Sequence, residues 1–223
     1  MNIYGKRLNF LGDSITEGSG VEDIASNRYD NRLKAKYNLT TNNYGIGGTR
    51  LAHQSKPSEK PRYDLCMCGR AFNIDPEADI TVVYGGVNDY LHGDAPFGEW
   101  GDQTPATFCG AVYFIMNLLK TEFPSQQIVF MTPARCHFYD VDCIVPSPHS
   151  YKRPDARPLY EYVKLILKTG EYFGIPVLNL YDDLGIDPMR EDDRVRYTKE
   201  GLHFNDEGHA CLAECLGAFL ETL

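Results

Sequence analysis

Short apolar runs that alternate with helical patterns constrain the fold of this 223-residue chain more than any other feature. Five runs rich in β-branched and aromatic residues predict strands, at Arg7–Leu11, Thr40–Tyr44, Ile80–Tyr84, Gln127–Thr132 and Pro176–Tyr181. Helical patterns lie between and after them, at Ala25–Tyr37, Tyr63–Ala71, Thr107–Phe123, Arg157–Tyr172 and Asp206–Leu223. Strands that alternate with helices predict an α/β fold, in which a parallel sheet has right-handed crossovers and helices on both faces.

Local signals refine this prediction. The run Ile80–Tyr84 is apolar nearly throughout, as a strand buried on both faces requires. Asn205 is suited to cap the last helix, and Asp64 is a candidate cap for the helix over Tyr63–Ala71. Because no repeat or linker divides the chain, we expect one domain over residues 1–223.

Charge and cysteine content narrow the class of partner. The formal net charge of −9 argues against nucleic acid or an anionic membrane surface as the main partner. No run approaches the roughly 18 apolar residues of a membrane span, and the first residues do not resemble a secretory signal. The seven cysteines contain no Cys-x-x-Cys pair, which favours reduced thiols and a cytoplasmic protein.

Polar, glycine-rich turns follow the strands at the same edge of the predicted sheet. In open α/β sheets, ligands bind beyond the carboxyl ends of the strands. Four turns reach this edge, at Gly12-Asp13-Ser14-Ile15, Gly45-Ile46-Gly47-Gly48, Gly86-Val87-Asn88-Asp89 and Glu200-Gly201-Leu202-His203. We therefore expect them to converge on one site.

The residue types at this edge are those that acyl transfer needs. Ser14 offers a hydroxyl, His203 a base, and Glu200 a carboxylate that can fix the imidazole tautomer. The backbone N–H groups of Ser14 and Gly48 and the Asn88 amide could donate to an oxyanion. Each turn alone is weak evidence, because serine-containing turns and structural histidines are common.

The four turns in this order resemble the blocks of the SGNH hydrolases, also called the GDSL lipase/esterase family. The resemblance spans most of the chain. It implies a flavodoxin-like three-layer α/β/α sandwich with five parallel strands, no cofactor, and hydrolysis through an acyl-serine intermediate. By position it implies that Ser14 is the nucleophile, His203 the base, and Gly48 and Asn88 oxyanion donors.

One position departs from the family pattern. The family's last block is Asp-x-x-His, whereas this chain has Glu200 three residues before His203. Either Glu200 completes a triad, or Ser14 and His203 act as a dyad in which a backbone carbonyl orients the ring. No metal ligand pattern accompanies these residues.

Other polar residues near the site have structural or substrate-contact interpretations. Asp13 and Asp89 are expected to anchor turns, and His209 is expected at the surface or as a cap of the last helix. Arg50 and Trp100 are candidate substrate contacts. Two long loops, over Thr49–Arg62 and Ala134–Ala156, are expected to cover the site.

The sequence therefore predicts a serine esterase acting on a small-molecule ester, with O-acetyl groups on carbohydrate favoured because the long loops are polar and aromatic. Within enzymes the alternative is a lysophospholipase or thioesterase that acts on longer acyl chains. The alternative of another class is an inactive flavodoxin-like module that binds a sugar or a protein. The oligomeric state is left open.

Overall fold

Five parallel strands form the centre of the molecule, seen in a computed structural model that describes residues 2–58, 60–137 and 156–223. The strands are β1 (Arg7–Gly12), β2 (Thr40–Gly45), β3 (Ile80–Tyr84), β4 (Gln127–Met131) and β5 (Val177–Leu178). Their order in the sheet is β2-β1-β3-β4-β5. Gly12 at the end of β1 pairs in register with Gly45 of β2 and with Tyr84 of β3, so three strands end at one level.

The helices are shorter and more numerous than the sequence pattern predicts. They are α1 (Ser14–Glu17), α2 (Ile24–Asn27), α3 (Tyr29–Tyr37), α4 (Met67–Arg70), α5 (Val87–His92), α6 (Phe108–Glu122), α7 (Leu159–Phe173), α8 (Leu180–Asp183), α9 (Glu191–Tyr197) and α10 (Asp206–Thr222). Two 3₁₀ turns, Pro61–Asp64 and Ala71–Asn73, flank α4.

Two apolar cores lie on opposite faces of the sheet. Successive strand residues point to opposite faces, so Val83 belongs to one core while Val82 belongs to the other. Helices α4, α6 and α7 cover the first face, and α3 and α10 cover the second. The molecule is thus the predicted three-layer α/β/α sandwich, and β3 is buried along its whole length.

The predicted helix over Ala25–Tyr37 is wrong in one respect, because it is broken at Arg28. Arg28 has an extended backbone, with φ −62° and ψ 138°. Its guanidinium donates to both carboxylate oxygens of Asp30, at 2.6 and 2.9 Å, and to the Glu17 carbonyl at 3.2 Å. The Asp30 side chain is almost fully buried, so this ion pair favours the break over a continuous helix.

The predicted helix over Tyr63–Ala71 is also interrupted, and the proposed Asp64 cap is wrong. The Asp64 carboxylate instead accepts hydrogen bonds from the Ser58 backbone N–H at 2.9 Å and from the Ser58 hydroxyl at 2.6 Å. These bonds close a loop rather than begin a helix, and regular helix starts only at Met67.

The fifth strand is shorter than the predicted Pro176–Tyr181. Only Val177 and Leu178 pair with β4. The side-chain amide of Asn179 donates to the Asp182 carboxylate at 2.8 Å, which turns the chain into α8 immediately after the strand.

The last helix shows one correct prediction and one wrong prediction. Asn205 caps α10 as predicted, because its side-chain oxygen accepts from the N–H groups of Glu207 and Gly208. His209 is not at the surface but fully buried. Its Nδ1 accepts from the Tyr29 N–H at 3.3 Å, its ring stacks on Tyr29, and burial lowers its pKa to about 4.

The part of the chain that the structure describes contains six free cysteines, of which Cys211 and Cys215 are half-buried and the others buried. Among the same residues, no helix combines the length and apolarity needed to cross a bilayer. Most of the predicted Ala134–Ala156 loop, from residue 138 to 155, lies outside the described residues.

Candidate active site

Ser14 lies at the carboxyl edge of the sheet, two residues after β1 ends. Asp13 caps α1, and its carboxylate accepts from the Ile15 N–H at 3.0 Å, which confirms the predicted turn-anchoring role. Ser14 is the first residue of α1, so its own N–H has no acceptor within the helix. Its side chain is held against the sheet with little exposure.

His203 reaches Ser14 from a short loop near the end of the chain. Its Nε2 lies 2.9 Å from the Ser14 hydroxyl oxygen, across 189 residues of sequence. A single antiparallel bridge between Thr198 and Phe204 closes the loop, in which the Lys199 N–H donates to the His203 carbonyl at 2.9 Å. The geometry allows His203 to accept the hydroxyl proton.

Glu200 contacts the other side of the same imidazole. Its carboxylate pairs with His203 Nδ1 and also accepts from the His203 backbone N–H at 3.2 Å. Burial raises the pKa of Glu200, but the hydrogen bonds and the charge of His203 outweigh this effect and hold the pKa below its ordinary value. The arrangement fits the first of the two alternatives, in which Glu200 orients the ring.

Gly201 gives the loop its shape. Its φ of +94° lies in the left-handed region, where residues with a side chain are strained. A Cβ at this position would lie only 2.4 Å from the Cβ of His137, whose N–H donates to the Gly201 carbonyl at 2.8 Å. The close contact with His137 therefore needs glycine between Glu200 and His203.

The second glycine-rich turn lies directly beside Ser14. A Cβ added to Gly47 would be 3.5 Å from the Ser14 Cβ, and the Gly47 N–H donates to Glu17 at 2.8 Å. Gly48 has a φ of +77°, and the ring of Tyr63 packs so closely on it that an added Cβ would lie 2.5 Å from a ring carbon. The left-handed backbone and the packed Tyr63 ring therefore both require glycine at position 48.

Asn88 connects this turn to the third strand. It lies in the first turn of α5, and its Nδ2 donates to the Thr49 carbonyl at 3.0 Å. The next residue, Asp89, accepts from the N–H groups of Leu51 and Ala52, as its predicted structural role requires. Burial raises the pKa of Asp89 to about 7.

Arg50 and Trp100, the two candidate substrate contacts, lie in different surroundings. The Arg50 side chain is 2% exposed, which leaves little surface for a substrate. Its guanidinium donates to the Ser58 hydroxyl and to the Tyr63 carbonyl, both at 3.2 Å, and so anchors the loop. Trp100 is half exposed, but its ring contacts Tyr172 and Lys168 on α7 rather than the side chains around Ser14.

Two arginines that the sequence prediction did not include, Arg70 and Arg62, hold the segments around Ser14 in place. Arg70 donates to the carbonyls of Gly12 and Tyr44 and to the Thr49 hydroxyl, and so fastens the ends of β1 and β2 to the glycine-rich turn. Burial lowers the pKa of Arg70 to about 10. Arg62 pairs with Glu17 at 2.5 Å. No motif marks either arginine, because each acts through contacts that exist only in the folded chain.

Within the described ranges 2–58, 60–137 and 156–223, no group of three or more His, Cys, Asp or Glu side chains is arranged to hold a metal ion.

Several solved structures are similar to this chain in fold. A protein from Lactobacillus plantarum is 29% identical, with a TM-score of 0.82 and 98% of each chain covered. A lipase/acylhydrolase from Enterococcus faecalis is 18% identical, with a TM-score of 0.61 and coverage of 95% of this chain and 93% of that one.

A third structure is a two-domain esterase active on acetylated mannans. It is 19% identical with a TM-score of 0.61, and the match covers 98% of this chain and 50% of the esterase. No curated protein matches the chain in sequence.

The model of the GDSL-like Lipase/Acylhydrolase family matches residues 10–211, a range that contains Ser14, Asn88, Glu200 and His203. The chain therefore belongs to the GDSL-like lipase/acylhydrolase family of hydrolases.

Proposed function

We propose that this hydrolase is a serine esterase that cleaves carboxylic esters of small acyl groups. The observation that carries the proposal is the contact of 2.9 Å between His203 Nε2 and the Ser14 hydroxyl, with Glu200 on the opposite nitrogen of the ring. A hydroxyl becomes a useful nucleophile when such a base takes its proton.

In the proposed mechanism, Ser14 attacks the ester carbonyl while His203 takes the hydroxyl proton. The N–H groups of Ser14 and Gly48 and the Asn88 amide donate to the oxyanion that forms. Collapse of this intermediate transfers the proton from His203 to the departing alcohol and leaves an acyl group on Ser14. Water, deprotonated by His203, then attacks the acyl group, and the carboxylic acid leaves as Ser14 regains its proton.

The surroundings of the site support an alcohol with several hydroxyl groups. Polar and aromatic side chains lie next to the glycine-rich turn, where Tyr63 packs on Gly48 and Arg62 pairs with Glu17. Such groups suit a saccharide better than a long acyl chain. The esterase active on acetylated mannans shares the fold and adds a precedent, so we favour O-acetyl groups on carbohydrate.

Hydrolysis of p-nitrophenyl acetate and octanoate by the native protein and by Ser14→Ala tests the proposal. We expect the native protein to cleave acetate faster than octanoate, and Ser14→Ala to lose both activities, because the acyl-serine intermediate cannot form. Release of acetate from acetylated mannan and xylan oligosaccharides then tests the alcohol.

Three other results would each redirect the proposal. Faster cleavage of octanoate would favour the lysophospholipase or thioesterase alternative. Equal rates for the native protein and Ser14→Ala would remove the proposed mechanism. Saccharide binding without turnover would favour the inactive binding module.

A further inference from the structure

A chain of three side chains leads from the buried Arg50 to the Asn88 amide. The Nη2 of Arg50 lies 2.7 Å from His92 Nδ1, and His92 Nε2 lies 2.8 Å from Asn88 Oδ1. Asn88 and His92 are four residues apart on α5, so they lie on the same face of the helix. Nothing in the family blocks or in the sequence pattern marks His92.

The chemistry of the arginine fixes the proton on the imidazole. A guanidinium only donates hydrogen bonds, so His92 Nδ1 must be the unprotonated nitrogen that accepts from Arg50. The neutral ring then carries its proton on Nε2, which donates to Asn88 Oδ1. The tautomer of His92 is therefore set by the Arg50 N–H that donates to Nδ1.

The tautomer in turn decides which way the Asn88 amide faces. Because Oδ1 accepts from His92, Nδ2 is on the other side, where it donates to the Thr49 carbonyl at 3.0 Å. The amide nitrogen has a second N–H, which is the donor that the proposed mechanism uses. A flipped amide would present its oxygen to the oxyanion and would repel it.

The start of this chain is held rigidly. Arg50 donates to the Ser58 hydroxyl, to the Tyr63 carbonyl and, through Nη2, to the His92 carbonyl at 3.1 Å. Burial lowers the pKa of Arg50, while the charges of Asp89, Asp64 and Asp94 act in the opposite direction. The guanidinium therefore cannot rotate away without losing several hydrogen bonds.

We propose that His92 is a positioning residue whose tautomer, set by Arg50, holds the Asn88 amide in the orientation that donates to the oxyanion. This inference rests on the proposed esterase function. It assigns Arg50 a role that is separated from the substrate by two side chains, those of His92 and Asn88, in place of a direct substrate contact.

A double-mutant cycle on p-nitrophenyl acetate hydrolysis tests the proposal. Removal of one oxyanion donor typically costs roughly 10²–10³ in kcat, which sets the scale for Asn88→Ala. We expect His92→Leu to lower kcat by about 10- to 100-fold with little change in KM, since the amide loses its orientation. His92→Gln, which can still donate to Asn88 Oδ1, should recover most of the rate. In an Asn88→Ala background, His92→Leu should have no further effect.

The controls separate positioning from folding. His53→Leu changes an exposed histidine of the neighbouring loop and should keep native kcat and KM. Thermal unfolding of each variant reports the folded fraction. Nitrogen-15 NMR of the native imidazoles gives a readout that does not depend on activity, and it should show His92 neutral with its proton on Nε2.

Three results would overturn the inference while the esterase function stands. The first is that His92→Leu lowers kcat equally in the native and the Asn88→Ala backgrounds. The second is that the drop in kcat equals the loss of folded protein. The third is that NMR finds the His92 proton on Nδ1. A native kcat in Asn88→Ala would instead remove Asn88 from the oxyanion site. Activity that survives in Ser14→Ala would overturn the proposed function together with this inference.

Discussion

At the scale of single residues, Glu200 occupies an unusually open position for a residue that orients a base. Its side chain is 45% exposed, although its carboxylate pairs with His203 Nδ1. Water can therefore replace part of its interaction when it is removed. If Ser14 and His203 act as a dyad, the rate of hydrolysis depends on Glu200 even less.

We expect Glu200→Gln to lower kcat by roughly 10²-fold, with KM nearly unchanged, because the imidazolium that forms during catalysis loses its anionic partner. This loss is smaller than the ~10⁴-fold effect of neutralising a buried triad acid. Steady-state hydrolysis of p-nitrophenyl acetate measures it, with the exposed Glu214→Gln as a matched control. A change below about 3-fold would favour the dyad.

Asp13 stores electrostatic strain beside Ser14. Its side chain is buried, and its Oδ2 has no hydrogen-bond partner among the described residues. Burial raises its pKa from 3.8 to about 6, and the Ile15 N–H, His203 and Arg70 only partly offset this. The folded state therefore binds the Asp13 proton more tightly than the unfolded state does. Stability is lost as the pH rises from about 4 to about 6, where the unfolded state is ionised and the folded state still holds the proton, and the loss stays constant above that range.

Asp13→Asn should relieve this strain. The amide oxygen can still accept from the Ile15 N–H, and the variant carries no charge that burial can penalise. Relative to the native protein, its free energy of unfolding should rise between pH 4 and pH 7.5, by up to about 3 kcal/mol. Urea unfolding at both pH values measures the difference. Asp192→Asn changes an exposed aspartate and is the control, for which we expect no gain in stability between the two pH values. An equally flat difference for Asp13→Asn would contradict the unfavourable burial of the Asp13 charge.

At the scale of elements, the start of α10 holds the chain that carries His203. The Asn205 side-chain oxygen accepts from the N–H groups of Glu207 and Gly208, and its amide donates to the Arg196 carbonyl at 2.8 Å. The cap therefore joins the last helix to α9, two residues after His203.

Asn205→Ala should lower the free energy of unfolding by about 1 kcal/mol, because two N–H groups at the start of α10 lose their acceptor. Asn205→Asp keeps an acceptor oxygen next to the positive end of the helix dipole and should restore most of the loss. Urea unfolding of the three proteins at pH 7 is the measurement. Equal stability of the alanine and aspartate variants would contradict a capping role.

The elements also show how far sequence patterns reach. Runs rich in β-branched and aromatic residues located the strands to within a few residues. The signal is clearest for β3, because burial on both faces leaves little freedom in its composition. Arg28 interrupts a helical pattern for the sake of a buried ion pair with Asp30, which no local pattern records. His209 looks like a surface residue in the sequence and is buried because its ring fits against Tyr29.

The site shows the same division. Ser14, Gly48, Asn88 and His203 lie in turns whose composition is visible along the chain, and the fold brings Ser14 and His203 into contact. Arg70 and His92 act through hydrogen bonds to groups that are distant in sequence or one helical turn away. Unlike the turn anchors Asp13 and Asp89, these two residues lie in no short local motif that marks their role.

At the scale of the whole molecule, the two ends of the chain meet around the site. The Asp206 carboxylate accepts from the Glu22 N–H at 2.9 Å and from the Asn27 amide at 2.8 Å, and Lys199 pairs with Glu22 at 2.9 Å. Helix α10 packs against α3 in the core that also contains β1. The segment with His203 is therefore fastened to the segment with Ser14 on both sides of the contact between these two residues.

Because of this arrangement, the contact between Ser14 and His203 is expected to form late in folding. Contacts between residues distant in sequence form late, because the chain must first give up the entropy of a long loop. The two residues are 189 positions apart in the sequence. A folding intermediate that has assembled β1, β2 and β3 but not docked α10 would have the Ser14 hydroxyl without His203 beside it. Under the proposed mechanism, such an intermediate is inactive, and hydrolysis begins only when the segment that carries His203 reaches Ser14.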